Sequence, residues 1–147
     1  MTPSCIFCIT LLGIILNCKR VYSKVQIALL GETKMEVKSM SAINMNKAQF
    51  EQFMLEEKPV LVDYWAPWCV YCRRIAPAYE KIAEEYGDQL VIGKVNIDEE
   101  PQLAEAEKIE VIPTLVLYRG GKAVDSIVAP DSKAAIERFI QDIMGRP

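Results

Sequence analysis

Two cysteines three apart, in Trp68-Cys69-Val70-Tyr71-Cys72, stand where an apolar strand gives way to a helix. The strand is Val60-Leu61-Val62-Asp63-Tyr64-Trp65; after Ala66-Pro67-Trp68 an apolar stripe follows through Cys72, Ile75, Tyr79, Ile82, Ala83 and Tyr86 at helical spacing. On that spacing Cys72 faces inward. Cys69 lies at the mouth of the helix, where free backbone N–H groups and the positive end of the dipole favour a thiolate. Cys69 is therefore expected to be the nucleophile and Cys72 the thiol that resolves a mixed disulfide.

The rest of the composition narrows the chemistry. Of 147 residues about half are apolar, enough for one domain with its own core. No histidine occurs, which excludes Ser-His-Asp and Cys-His hydrolysis and histidine metal sites. There are 17 Lys plus Arg against 20 Asp plus Glu, and residues 1–34 hold four of the bases and one of the acids. The remainder thus carries 13 bases and 19 acids, a net of −6, which argues against nucleic acid as a partner. The five cysteines are Cys5, Cys8 and Cys18, then Cys69 and Cys72. A disulfide-stapled scaffold would be smaller and denser in cysteine, and the gap between the two Cys-x-x-Cys pairs far exceeds typical zinc spacings. No metal is expected.

Residues 1–40 read as a leader and 41–147 as the domain. The apolar run Cys5 to Leu16 is shorter than the roughly 20 residues a spanning helix needs. Its charges, Lys19 and Arg20, follow the run instead of preceding it as in a signal peptide. Ile15-Leu16-Asn17-Cys18 is a poor lipoprotein box, because Asn17 is not a small residue. The preferred reading is a disordered leader or a misplaced start, with initiation at Met35, Met40 or Met45; an anchor through residues 5–18 is the alternative.

Within the domain, Ser41 to Met45 is a strand candidate and Asn46 a helix N-cap ahead of Phe50, Phe53 and Met54. After the cysteine helix come a strand over Leu90 to Asn96, a short helix around Gln102 to Lys108, and a strand from Thr114 to Tyr118. Gly120-Gly121 then turns the chain into Lys122 to Val128. Asp131 or Ser132 caps a last helix with Ile136, Phe139, Ile140 and Ile143 on one face. Strand, helix, strand in continuous apolar runs predicts parallel strands covered on both sides, and the closing hairpin adds an antiparallel edge. The expected class is α/β, a central mixed sheet flanked by helices.

These elements and residues together resemble the thioredoxin family over roughly residues 41–144. Val62-Asp63-Tyr64-Trp65-Ala66-Pro67-Trp68-Cys69 looks like the family's strand into its active site, and Pro77 falls where its active-site helix is kinked. Lys94-Val95-Asn96-Ile97-Asp98 resembles its third-strand signature and Ile112-Pro113-Thr114 its cis-proline loop. The resemblance implies the thioredoxin fold and protein-disulfide reduction in the cytoplasm by a monomer. The implied partners are disulfide-containing proteins and a reductase or other thiol donor, with no cofactor beyond the Cys69–Cys72 couple.

It also sharpens individual residues. Asp63 is a lone acid in an apolar strand, either buried with a raised pKa or hydrated at the strand end; the resemblance implies the former, as proton acceptor for Cys72. Lys94 likewise interrupts a strand, and pairing with Asp63 is the expectation. Pro113 on base rates alone would be cis in only about 5% of cases, but the family's proline is cis and presents the preceding backbone, here Ile112, to substrate. Trp68 is expected at the surface beside Cys69, with Trp65 packed.

Two departures stand out. The family usually carries Gly-Pro or Gly-His between the cysteines, whereas this chain has Val70-Tyr71, so redox direction is not transferable. Tyr71 keeps a backbone N–H that could stabilise the thiolate, and Arg73 and Arg74 add positive charge, which would favour a more oxidising couple unless both are simply solvated. Ala129, followed by Pro130, replaces the glycine general in the family's substrate groove. Two other readings compete with the reductase: a binding module with incidental cysteines, and an exported or membrane-tethered reductase with a dedicated partner.

Overall fold

Alternating apolar runs and helical stripes resolve into nine elements in the computed structural model, which describes residues 41–146. In order they are β1 (Ile43–Asn44), α1 (Lys47–Met54), β2 (Val60–Trp65), α2 (Val70–Tyr86), β3 (Val91–Asn96), α3 (Pro101–Ala106), β4 (Thr114–Arg119), β5 (Lys122–Val128) and α4 (Lys133–Met144). The expectations for a leader over 1–40 and an anchor through 5–18 lie outside the described residues. Among those described, no helix is long and apolar enough to cross a membrane.

The strands form one mixed sheet in the order β1-β3-β2-β4-β5. β1 and β2 run parallel to β3, while β4 is antiparallel to both β2 and β5. Because side chains alternate along a strand, the sheet presents two apolar faces. Leu61, Ile92, Leu115 and Leu117 pack against Ile75, Tyr79 and Ile82 of α2 and Ile136, Ile140 and Ile143 of α4. On the other face, Val62, Tyr64, Val95, Val116 and Tyr118 meet Phe50 of α1 and Leu103 of α3.

The helix ends follow from local chemistry. Asn46 closes a reciprocal capping box with Gln49. For α4 the cap is Ser132, whose Oγ accepts from the Ala135 N–H at 3.3 Å; Asp131 instead accepts from the Ser132 hydroxyl at 2.8 Å. Proline starts α3 at Pro101, where a missing N–H costs nothing, and the helix is shorter than expected because Lys108 takes a positive φ of 55°. β1 contracts to two residues. α2 runs through Pro77, which cannot donate to the Arg73 carbonyl one turn back.

One polar chain runs along the sheet face that packs against α1 and α3: the Tyr118 hydroxyl donates to Glu107 Oε2 and accepts from Tyr64, each at 2.8 Å. Burial pushes both phenols well above their ordinary pKa. Tyr118→Phe should cost about 1–3 kcal/mol, since it leaves the Tyr64 hydroxyl buried without a partner. Chemical denaturation checks this; the double change with Tyr64→Phe should recover part of the loss, and no loss in the single variant would mean that Tyr64 finds another partner.

Candidate active site

The sheet delivers Trp65 at the end of β2, and Ala66-Pro67-Trp68 carries the chain to Cys69. There the backbone is still extended (φ −79°, ψ 111°), which makes Cys69 the N-cap of α2. An N-cap side chain accepts from the second or third N–H of its helix. Here the N–H of Cys72 donates to Cys69 Sγ at 3.1 Å. The two cysteines are joined as a disulfide, with Cα atoms 5.3 Å apart. Both are buried, Cys72 on the inward stripe with Ile75 and Tyr79. The backbone donor that reaches Cys69 Sγ is thus the Cys72 amide.

Around the buried sulfurs stands an exposed apolar rim. Trp68, Val70 and Tyr71 are 64, 58 and 65% exposed. Trp68 is held by its indole N–H, which donates to both Asp98 carboxylate oxygens at 3.2 and 3.1 Å. Trp65 packs with Ala66 and the two cysteines, as expected. Arg73 is exposed, and the Arg74 guanidinium lies 5.4 Å from the Tyr71 ring centroid.

The other wall is the Ile112-Pro113 loop, whose peptide bond is cis. The Ile112 carbonyl oxygen lies 3.9 Å from Cys69 Sγ, and Pro113 is buried. The Pro113 carbonyl accepts from the Ala129 N–H at 2.8 Å. Ala129 holds φ at +45°, a region that favours glycine, which accounts physically for the residue type this position departs from. Tyr71, Arg74 and Ile75 of α2 face Pro113, Ala129, Pro130 and Asp131 across a small pocket of about 150 Å³. A larger hollow of about 420 Å³ lies between the loop before β4 and the β5 edge; neither it nor the smaller pocket is lined by Cys69 or Cys72. Among the described residues, no three His, Cys, Asp or Glu side chains come together to hold a metal.

Asp63 lies on the α2 side of the sheet, sharing a strand face with Leu61. It is 1% exposed and its Oδ1 has no hydrogen-bond partner. Burial pushes its carboxyl up to about 7; the Lys94 ammonium opposes that rise and Glu80 adds to it. Asp63 and Lys94 are register neighbours on β2 and β3, yet the expected ion pair between them is not the one formed. Lys94 Nζ lies 3.6 Å from Glu80 Oε1 and 5.1 Å from the Trp65 ring centroid. The reason is that Glu80, on α2 above β3, offers a part-exposed carboxylate, which costs less to ion-pair than one sealed in the core. Neither Glu80 nor Asp98 carries a sequence signal of its own. Asp98 closes the Lys94-Val95-Asn96-Ile97-Asp98 signature, and Glu80 has only its helix position.

The thioredoxin family model matches residues 41–142. The chain belongs to the thioredoxin family. It is 36% identical to a thioredoxin of Alicyclobacillus acidocaldarius over 104 residues, which cover 71% of this chain and 99% of that one. It is 40% identical over 95 residues to a bifunctional thioredoxin reductase/thioredoxin of Mycobacterium leprae, covering 65% of this chain and 21% of that one. The solved structure of a thioredoxin from Malassezia sympodialis aligns with a TM-score of 0.64 at 31% identity, over 69% of this chain and 92% of that one. The protein has the thioredoxin fold and is a thiol-disulfide oxidoreductase, a protein-disulfide reductase that works by thiol-disulfide exchange.

Proposed function

We propose that Cys69 attacks and Cys72 resolves, with Asp63 taking the proton of Cys72. The Cys69 thiolate adds to one sulfur of a substrate disulfide and expels the other as a thiolate. Cys72, deprotonated by Asp63, then attacks Cys69 Sγ and releases the second substrate thiol. Two electrons pass to the substrate and the Cys69–Cys72 disulfide remains. The observation that carries this order is the helix cap itself: Cys69 Sγ receives the Cys72 N–H at 3.1 Å, a contact that stabilises a thiolate on Cys69 in the reduced protein. Lys94 tunes the proton affinity of Asp63. No bound cofactor enters the cycle.

The partners we infer are disulfide-bearing proteins and a reductase or other thiol donor. The M. leprae relative, named as a reductase and thioredoxin in one chain, supports a reductase in that role. The acidic balance of residues 35–147 disfavours nucleic acid. We place the protein in the cytoplasm, where thiols are kept reduced, as a monomer acting away from membranes. Reduction of a model protein disulfide by the purified chain, supplied with a dithiol, tests the reading; no turnover by the folded protein would overturn it.

Substrate contacts are assigned to Trp68, Val70, Tyr71, Ile112, Pro113 and Ala129, which surround the sulfurs. Trp68, Val70 and Tyr71, exposed apolar side chains, lose water only when a partner covers them. Tyr71→Ala is expected to raise KM for a protein disulfide several-fold at similar kcat. If kcat falls while KM holds, Tyr71 acts on the sulfurs instead of on the substrate.

A further inference from the structure

We propose that Glu80 is a positioning residue for the active site: it holds the Lys94 ammonium away from the Asp63 carboxyl and so sets where that carboxyl titrates. This rests on the reading of Asp63 as proton acceptor and deepens it.

The geometry is unusual for three charges so close together. Asp63 and Lys94 sit side by side across the parallel β2–β3 pair, on the same sheet face. A lysine has the reach to satisfy a neighbouring buried carboxylate, yet Asp63 Oδ1 has no partner and the ammonium is bound elsewhere. Two contacts hold it there: Glu80 Oε1 at 3.6 Å and the Trp65 ring face at 5.1 Å. Glu80 is fixed in turn from its far side, where Oε2 accepts the Ala42 N–H at 3.0 Å. The carboxylate is therefore braced between the backbone just before β1 and the lysine of β3. That brace joins residues 38 apart in the chain and cannot arise from α2 alone.

The groups that face Asp63 are few. β3 contributes Lys94; α2 contributes Tyr79 and Glu80, with Cys72 on the same inward stripe; β4 places Leu115 opposite. The Tyr79 hydroxyl is committed to the Leu61 and Gly93 carbonyls at 3.0 and 2.8 Å, and burial pushes its pKa well up, so it neither charges nor donates to Asp63. The buried side chains of α4, Ile136, Ile140 and Ile143, are apolar. Lys94 and Glu80 are then the charges that act on Asp63, with opposite signs, and each restrains the other.

Glu80→Gln keeps the shape and can still accept from Ala42, but releases Lys94. The full chain, reduced and with its carboxyl carbons followed by NMR, should show the Asp63 titration midpoint falling by about one pH unit, the size expected when an opposite charge is free to approach within about 4–6 Å. In a Lys94→Met background the same Glu80 change should produce at most half that fall, because no ammonium remains to be released. A midpoint that stays or rises in folded Glu80→Gln overturns the proposal, as does an undiminished fall in the Lys94→Met background. The pH profile of turnover separates the two readings. If its acid limb follows the carboxyl to lower pH, both stand; if the carboxyl moves and the limb does not, Glu80 still positions Lys94 but Asp63 is removed from the reaction.

Discussion

Cys69→Ser is expected to abolish disulfide reduction, while Cys72→Ser is expected to stop the cycle one step later with substrate attached. The difference follows from where each sulfur sits. Cys69 caps α2, receives the Cys72 N–H, and lies against the Ile112 carbonyl at the rim that a substrate must cover. A serine hydroxyl there is not ionised near neutral pH and cannot displace a thiolate, so no mixed disulfide forms. Cys72 lies on the inward stripe of α2, behind the N-cap sulfur, and is assigned the second step. Its loss leaves the first exchange intact and removes only the intramolecular thiol that would expel the substrate. Intact mass of the reduced Cys72→Ser chain after exposure to a disulfide-bonded protein should show one covalent adduct, reversed by excess dithiol. An adduct that forms through Cys72 in the Cys69→Ser chain would reverse the assignment of the two roles.

Asp63→Asn should make the protein more stable above neutral pH while slowing its turnover. A carboxyl pushed from an ordinary 3.8 up to about 7 by burial holds its proton in the folded chain but loses it in the unfolded one between those two values. The folded state binds more protons over that window, so stability falls as pH rises from about 4 to about 7, and above it the full cost of a buried charge remains. Asparagine has nothing to ionise. The stability difference between variant and parent should therefore be small near pH 4, grow through pH 7, and level off above it, reaching a few kcal/mol. Turnover should fall toward the lower end of the roughly 10²–10⁴-fold that a general base contributes. Thermal melts across this range and steady-state rates at pH 8 measure both. A variant less stable at pH 8 with normal turnover would make Asp63 a structural residue.

Most of the architecture was readable from residue order, because strand and helix periods are local properties. The apolar runs Val60 to Trp65 and Thr114 to Tyr118, the stripe from Cys72 to Tyr86, the Asn46 cap and the Gly120-Gly121 turn each declare themselves within a few residues. So does the redox pair: three residues at the start of a helix suffice to bring two sulfurs together, whatever the rest of the chain does. The cis Ile112-Pro113 bond was anticipated only through resemblance, since the local preference of an X-Pro bond is for trans.

Tertiary structure decided what depends on which distant groups share a space. Asp63 in its strand was equally consistent with burial or hydration until α2 closed over that face of the sheet. Lys94 had a plausible partner one strand away, but the crossing of α2 over β3 offered Glu80 instead, and a half-exposed carboxylate competes better for an ammonium than one that would have to ionise in the core. Trp68 meets Asp98 across 30 residues, and the Tyr64 and Tyr118 hydroxyls meet across 54. Electrostatic and hydrogen-bond partners of this kind are set by through-space distance and local dielectric, neither of which exists along a chain before it folds. The sequence alone therefore determined the elements, their order and the chemistry of the two cysteines; packing determined which charges surround them and how tightly each proton is held.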